Sequence, residues 1–290
     1  MKRYLGGRLS LLLALLCLAA FDGAWAAEPV RKFLVFGRSG AWFVFDTKAE
    51  TLSPIVFPSP YVPENVDVSP NGAWLVFTAY DAGAHNTLMF RWERGSPNPP
   101  VLLGDTRGHH ADPRISADGR WVFFAHNPLA KGPPMNHGDK AYAQLYRVPI
   151  EGGQIESLTD ERGCHFSPSS PGGGKVFLVH TSCDLERWIE LLDTGTRKKV
   201  IFTSERATLD ELDLSPDGKR LAYAILQISQ MRIRQVDVAS RKTSDLFVLT
   251  PDEPRIRIRY TGRGREMLYQ SNGAIWRFDG TKTSKVIQLQ

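Results

Sequence analysis

Short apolar runs alternate with polar turns along most of the chain, and one turn-plus-strand pattern returns at a nearly constant interval. Five copies begin with Ser or Thr and carry Gly at the fourth position: SPNGAWLVF (69–77), SADGRWVFF (116–124), SPGGGKVFL (170–178), SPDGKRLAY (215–223) and TGRGREMLY (261–269). Successive copies start 47, 54, 45 and 46 residues apart. Repeats of this length are typical of solenoids and propellers.

Each copy has the composition of a β-hairpin. In three of the five copies, proline at the second position fixes φ near the value that a type I turn needs, and in all five glycine at the fourth position accepts the left-handed conformation that closes the turn. The residues that follow, such as WLVF or RLAY, are β-forming and apolar. The hairpin therefore explains the turn residues, and we do not expect them to form a site.

Two further strands follow each hairpin. The third segments are LMFRWE, QLYRVPI, RWIELLD, RIRQVDV and AIWRFD, and fourth strands such as KVIF and DLFVL come after another polar turn. Four antiparallel strands make a propeller blade. Before the first copy, KFLVF, AWFVFD and LSPIVF supply a second, third and fourth strand without a first. The sequence thus predicts an all-β, six-bladed β-propeller whose first blade lacks its inner strand.

The N-terminus has the pattern of a secretory signal peptide. Basic residues precede an apolar run from Leu9 to Ala20, and a small-x-small motif ends at Ala26. We expect cleavage after Ala26, so that residues 1–26 are the signal peptide and residues 27–290 the propeller. An uncleaved anchor is the alternative. The cleaved protein would be periplasmic or secreted.

The turns, the strands after them and third strands of the IWRFDG kind resemble the TolB-type β-propeller repeat over nearly all of residues 30–290. The resemblance implies the fold. Propellers of this type serve as protein-binding platforms, as the catalytic body of oligogalacturonate lyases and as the gating domain of prolyl-oligopeptidase-like enzymes. The first blade begins close to the predicted cleavage site, which leaves no room for the separate N-terminal domain of TolB. We therefore expect that TolB's partners do not transfer.

Charge narrows the classes of partner. The formal net charge is +5 at pH 7 in 290 residues, and no block of Lys and Arg is present, so we expect no nucleic-acid binding. No apolar run after the signal peptide reaches the length of a membrane span, so none is expected after cleavage. Neither observation predicts the oligomeric state.

The histidines are unevenly placed. In a four-stranded blade, the start of the first strand, the end of the second and the loop to the third lie at one end of the wheel. All seven histidines fall at such positions: His85, His109, His110, His126, His137, His165 and His180. We call this end of the wheel the histidine face. Six of the seven belong to the third and fourth predicted blades.

Counting outward from the turns places His110 near His126 and His165 near His180 on paired strands. Imidazole suits divalent metals such as zinc or manganese, so these four histidines are candidate metal ligands, and Asp112 or Asp160 could complete the shell. The fold resemblance adds that oligogalacturonate lyases carry a histidine-rich metal site on a propeller. The alternative is that these histidines lie in loops and face water.

Two cysteines follow the signal peptide. Cys164 and Cys183 lie about equally far from the turn of the fourth repeat, and the chain carries an export signal. A disulfide between them would stabilise this hairpin by about 3 kcal/mol. Two buried free thiols are the alternative, because a disulfide needs matched Cβ positions.

The predicted inner strands carry charge near the central channel. Asn65, Asp112, Glu211 and Arg257 stand at equivalent positions, and we predict that they line the channel as ligand-binding residues. The strand RIRIR (255–259) neighbours DELDL (210–214). Ion pairs between the two blades explain these charges, and an anionic ligand at Arg257 is the alternative. The longest insertion, 127–142, lies on the same face and is either functional or a spacer.

Two functional hypotheses follow. The first is an exported, non-catalytic propeller that binds a protein or glycan partner in the cell envelope through the histidine face. The second is a metal-dependent, lyase-like enzyme acting on uronate polysaccharides. We prefer the first, because no complete catalytic set is visible in the sequence and rigid propeller faces suit binding.

Overall fold

The computed structural model describes residues 33–38, 40–129, 143–159, 164–172, 174–181, 187–205, 208–227, 229–250, 256–261 and 265–289. Within these ranges the chain is all-β and contains no helix, as predicted. Accordingly, no helix in the described ranges has the length and apolar character needed to cross a membrane. The predicted signal peptide lies outside the described residues.

The strands group into antiparallel sets that follow chain order. The first set has three strands: β1 (Phe33–Arg38), β2 (Ala41–Asp46) and β3 (Thr51–Pro54). The second is β4 (Pro63–Val68), β5 (Trp74–Asp81), β6 (Asn86–Glu93) and β7 (Val101–Leu102), and the third is β8 (His109–Ile115), β9 (Trp121–Asn127), β10 (Gln144–Pro149) and β11 (Glu156–Ser157). A single parallel pairing of Thr87 with His109 joins these two sets into one sheet.

Three further sheets have four strands each. They are β12 (Cys164–Gly172), β13 (Lys175–Thr181), β14 (Arg187–Asp193) and β15 (Lys199–Glu205); β16 (Thr208–Leu214), β17 (Arg220–Gln227), β18 (Gln230–Asp237) and β19 (Thr243–Leu249); and β20 (Ile258–Tyr260), β21 (Met267–Ser271), β22 (Ala274–Phe278) and β23 (Thr283–Gln288). We call the six groups sets 1 to 6. The predicted third segments correspond to β6, β10, β14, β18 and β22.

The hairpin turns have the predicted chemistry. In the first copy the N–H of Gly72 donates to the carbonyl of Ser69 at 2.8 Å, and the Ser69 hydroxyl donates to Asn71 Oδ1 at 2.7 Å. The turns that begin at Ser116 and Ser215 repeat both contacts. Their fourth residues are glycines with φ of 77°, 73° and 70°. The serine, Asx and glycine of the repeat are therefore used within the turn.

Hydrophobic clusters hold consecutive sets together. Val35 of set 1 packs with Val66 of set 2, and each following cluster in turn joins sets 2 and 3, 3 and 4, 4 and 5, and 5 and 6. The last cluster joins the two ends of the chain, because Phe36 of set 1 packs against Leu268 and Ile275 of set 6. The sets thus follow one another around a ring, which is the arrangement of a propeller.

Side chains on the inner strands bind the backbone of the next set. Asp67 Oδ2 accepts a hydrogen bond from the N–H of Ile115 at 2.8 Å, and Asp213 Oδ2 accepts one from the N–H of Tyr260 at 2.8 Å. Ser169 Oγ donates to Asp213 Oδ1 at 3.3 Å. These bonds satisfy backbone groups that face the axis, away from the single pairing of Thr87 with His109 that joins sets 2 and 3.

Asp213 joins sets 4, 5 and 6 and is 4% exposed, so we expect Asp213→Ala to be strongly destabilising. The substitution leaves the buried N–H of Tyr260 without its acceptor. Urea unfolding should show a loss of about 2 to 4 kcal/mol in the free energy of unfolding. Glu151→Ala is the matched control, because that side chain is 72% exposed and forms one surface ion pair. An equal loss in both variants would contradict this role for Asp213.

Candidate functional site

Two levels of side chains surround the axis. Counting back two residues from the first residue of each turn gives the lower ring, which consists of Asp67, Arg114, Pro168, Asp213 and Arg259. Counting back four gives the upper level, which holds the predicted ligand-binding residues Asn65, Asp112, Glu211 and Arg257. All five residues of the lower ring border one cavity of about 20 Å³. That space holds about one water molecule, so the lower ring nearly closes the channel.

A buried ion-pair triad holds the lower ring together. Glu211 reaches down from the upper level and accepts a hydrogen bond from Arg114 at 2.7 Å and another from Arg259. The side chains of Arg114, Glu211 and Arg259 are 13%, 11% and 4% exposed. The pair between Glu211 and Arg259 is the contact between sets that the sequence indicated. Arg114, from set 3, is an additional partner.

The upper level coincides with β-bulges that the repeat pattern did not reveal. The pairing register shifts in β4, β8, β12 and β16, each time near the residue four positions before the turn. Asp112 lies in one of these bulges with φ of 49°. A bulge redirects side chains locally, so strict alternation along the strand does not describe this level.

A larger pocket opens above the lower ring. Its volume is about 350 Å³, and it lies between the β1–β2 hairpin, the start of β4, the segment before β20 and the end of β21. The side chains that line it include Arg38, Trp42, Glu64, Asn65, Arg257 and Gln270. First strands begin and second strands end here, so the pocket lies on the histidine face. We call it the mouth pocket.

Trp42 forms the wall of the mouth pocket. Gly37 is its cross-strand partner, and a Cβ on Gly37 would lie 2.7 Å from the indole ring, so glycine is needed for this packing. The indole Nε1 donates to the carbonyl of Pro63 at 3.2 Å. The Arg257 guanidinium then lies over the fixed ring, with Cζ 4.8 Å from the ring centroid.

The two arginines of the mouth pocket bind backbone carbonyls. Arg257 donates to the carbonyl of Val66 at 3.2 Å, and Arg38 donates to the carbonyl of Leu289. Within the described part of the chain, neither guanidinium forms an ion pair with a carboxylate. Burial, and then the charge of Arg114, lower the pKa of Arg257 to about 10, so it stays a cation at neutral pH.

The structure divides the four predicted ligand-binding residues. Asn65 and Arg257 line the mouth pocket, whereas Glu211 forms the triad and half-buried Asp112 lies in its bulge. Sequence reasoning missed Arg38 because it belongs to set 1, which meets set 6 when the ring closes. The glycine directly before it, which makes room for an aromatic ring, was the available signal.

The histidine pairs lie as counted on the strands. His110 is the cross-strand partner of His126, and His165 is that of His180. The imidazoles of His110 and His126 stack, with ring centroids 4.2 Å apart and planes 11° apart. The side chains of His165 and His180 are outside the description, as are His137 and residues 130–142 of the long insertion.

Each stacked imidazole is held by a backbone carbonyl. His110 Nδ1 lies 2.8 Å from the carbonyl oxygen of Thr87, and His126 Nε2 lies 2.8 Å from that of Arg107. A carbonyl only accepts, so these nitrogens carry the protons. The opposite nitrogens, His110 Nε2 and His126 Nδ1, are buried without a hydrogen-bond partner among the described residues.

Both rings are neutral at neutral pH. Burial, and then the neighbouring His126, lower the pKa of His110 to about 3, and burial lowers the pKa of His126. Metal ligation by these histidines stays a prediction. Their rings are nearly parallel, so the nitrogen lone pairs lie in nearly parallel planes and do not converge on one point. In addition, the described residues contain no group of three His, Cys, Asp or Glu suited to a metal.

The predicted disulfide also stays a prediction. Cys183 and the side chain of Cys164 lie outside the described residues. The described part of their hairpin extends from the pairing of Cys164 with Thr181 to that of Gly172 with Lys175.

Comparisons with known proteins support the fold. No family model and no curated protein matches the sequence. Among solved structures, a TolB candidate from Agrobacterium tumefaciens superposes with a TM-score of 0.64 at 16% identity, covering 89% of both chains. TolB from Acinetobacter baumannii gives 0.64 at 13% identity over 95% of this chain and 67% of that one. An oligogalacturonate lyase in complex with manganese gives 0.61 at 12% identity, over 90% and 75%. The chain has a TolB-like β-propeller fold.

The histidine pair predicts a pH-dependent stability. The unfolded chain protonates His110 at its ordinary pKa of about 6.5, whereas the folded ring resists protonation until about pH 3. The contribution to stability is therefore complete above about pH 6.5 and is lost as the pH falls toward 3. From this residue alone, urea unfolding should show about 2 kcal/mol less stability at pH 5 than at pH 7.

In His110→Gln this difference between pH 7 and pH 5 should shrink. His85→Gln is the control, because His85 is exposed and its ring is hydrogen-bonded to Tyr80 at 3.3 Å. An unchanged pH dependence in His110→Gln would show that His110 does not titrate in this way.

Proposed function

We propose that the chain is an exported, non-catalytic binding protein of the cell envelope, which holds a protein or glycan partner through the histidine face. The observation that carries this proposal is the shape of the channel. The mouth pocket of about 350 Å³ opens on the histidine face, whereas the lower ring encloses about 20 Å³. A pocket of this size suits a ligand group that enters from one side.

We also infer that the wheel has six blades, with a three-stranded first blade. The strand sets and the hydrophobic clusters that join them, including the one that joins set 6 to set 1, support this count. In this proposal residues 1–26 are a signal peptide that directs export, and residues 27–290 are the propeller. The exported propeller is located in the periplasm or outside the cell.

The chemistry of the mouth pocket favours binding. Arg38 and Arg257 offer charged donors, and the amides of Asn65 and Gln270 help to fix the pocket by donating to Thr78 Oγ1 at 3.3 Å and to the carbonyl of Gly37 at 2.8 Å. With a pKa of about 10, Arg257 donates hydrogen bonds at neutral pH and does not act as a base. These are the properties of a recognition site.

Site-specific photo-crosslinking in the native host tests the binding proposal. Ala41 lines the mouth pocket and is exposed, so a benzoylphenylalanine placed there should give a discrete adduct with the partner. The same residue at Lys282, which is exposed in a turn at the opposite end of the strands, should give none. Equal labelling from both positions, or no adduct from position 41, would contradict the proposal.

A second candidate function is a metal-dependent lyase acting on uronate polysaccharides. It is favoured by the fold likeness to a manganese-bound oligogalacturonate lyase and by the buried nitrogens of His110 and His126 that lack partners among the described residues.

This candidate predicts about one metal ion per chain in protein purified without a histidine tag, and release of unsaturated products from uronate polymers. Elemental analysis and ultraviolet absorbance measure the two. Activity should be lost in His110→Gln and kept in His85→Gln. Substoichiometric metal together with no absorbance change would exclude the lyase.

A further inference from the structure

The arginines near the axis differ in how their charge is balanced. At the lower ring, Arg114 and Arg259 share the carboxylate of Glu211. At the mouth pocket, Arg38 and Arg257 bind backbone carbonyls, and neither forms an ion pair in the described part of the chain. The mouth pocket thus holds two cations that form no ion pair among the described residues, and Glu211, Asp67 and Asp112 act on Arg257 only from a distance. A partly buried guanidinium gains most from a carboxylate or phosphate partner, because both can accept two parallel hydrogen bonds.

The lining of the mouth pocket leaves a positive excess. Among its described lining residues, the acidic one is Glu64, whose side chain is exposed at the start of β4. The excess is held in fixed positions. The Arg257 guanidinium lies on Trp42, and the Arg38 guanidinium packs over Gly273, where a Cβ would lie 2.7 Å from Cζ. Donors that are fixed before binding lose little conformational entropy when a ligand arrives.

We propose that the mouth pocket receives the C-terminal carboxylate of a partner polypeptide, with Arg38 and Arg257 as its two charged donors. This inference rests on the proposed binding function and names the partner's chemistry. Arg38 and Arg257 are the specificity-determining residues of the pocket.

The shape of the channel favours a chain end. A linear polymer that passed through the wheel would have to cross the lower ring, where the cavity of about 20 Å³ admits no side chain. The pocket of about 350 Å³ above it has a volume within the range of ligand pockets and has room for the end of a chain. Capture of a terminal carboxylate is a known mode of peptide recognition.

The aromatic residue favours a peptide over a sugar. Sugar-binding sites commonly present an open aromatic face for the C–H face of a sugar ring. In the mouth pocket the aromatic residue is Trp42. The Arg257 guanidinium covers one face of its indole ring, and the residue is 8% exposed. The pocket therefore offers charged donors and little aromatic surface.

Fluorine NMR tests this inference. The protein is labelled with 5-fluorotryptophan, and the Trp42 signal is assigned by its loss in Trp42→Phe. The probes are a pool of N-acetylated tripeptides with free C-terminal carboxylates, the same pool amidated at the C-terminus, sodium galacturonate and inorganic phosphate. We expect the acid pool to shift the Trp42 signal saturably, with an apparent Kd below about 1 mM, and the amide pool to bind at least about tenfold more weakly.

Variants identify the donors. Arg38→Gln and Arg257→Gln should each weaken binding of the acid pool about tenfold or more, and Glu64→Gln should strengthen it. Arg120→Gln removes the same charge from a side chain that is 76% exposed in a turn at the other end of the strands, and it should change nothing. Because Glu64→Gln predicts a gain, destabilisation of an arginine variant cannot imitate the whole pattern.

The other outcomes overturn the inference in distinguishable ways. Equal binding of the acid and amide pools contradicts carboxylate recognition but leaves the binding function intact. Tighter binding of galacturonate or phosphate than of the acid pool replaces the polypeptide with a glycan or a phosphate ligand. If no probe moves the Trp42 signal, the inference is wrong. The proposed function fails separately, through the absence of crosslinks from position 41.

Discussion

The double ion pair of Glu211 determines what the centre of the wheel can do. This carboxylate reaches down from the upper level and holds Arg114 and Arg259, so strands from three sets meet at one buried charge. Removal of one member would leave an uncompensated charge near the axis, which is far more costly than the loss of a surface pair. The triad belongs to the ring that reduces the lower channel to a water-sized space. The larger space lies on the histidine face, in the mouth pocket of about 350 Å³.

The two levels of the axis have separate roles because their charges are balanced differently. Asp67 and Asp213 accept hydrogen bonds from the backbone of the next set, and the lower arginines share Glu211. These groups are used in holding the ring together. At the upper level Arg257 lies on Trp42 and donates to a backbone carbonyl, and it forms no ion pair among the described residues. The histidine face thereby combines a rigid wall with a cationic donor.

Much of the fold could be predicted because the turn chemistry is local. The SPDG-type turns fix a hairpin from a few adjacent residues, and counting from them placed His110 near His126 and put Asn65 and Arg257 among the residues that line the channel. The bulges could not be predicted, because their position depends on packing against the next set. Arg38 was missed for a related reason, since its neighbours come from the opposite end of the chain. The stacking of the two imidazoles depends on side-chain rotamers, which spacing does not determine.

The central claim is that Glu211 pairs with Arg114 and Arg259 at the lower ring, whereas Arg38 and Arg257 at the mouth pocket bind a ligand anion. Side-chain ¹⁵N NMR of the arginine Nε–Hε groups during an acetate titration tests it most directly. The account predicts that the Arg38 and Arg257 signals shift saturably with one shared Kd, while those of Arg114 and Arg259 stay in place. Shifts at Arg114 and Arg259, or stationary signals from Arg38 and Arg257, would contradict it.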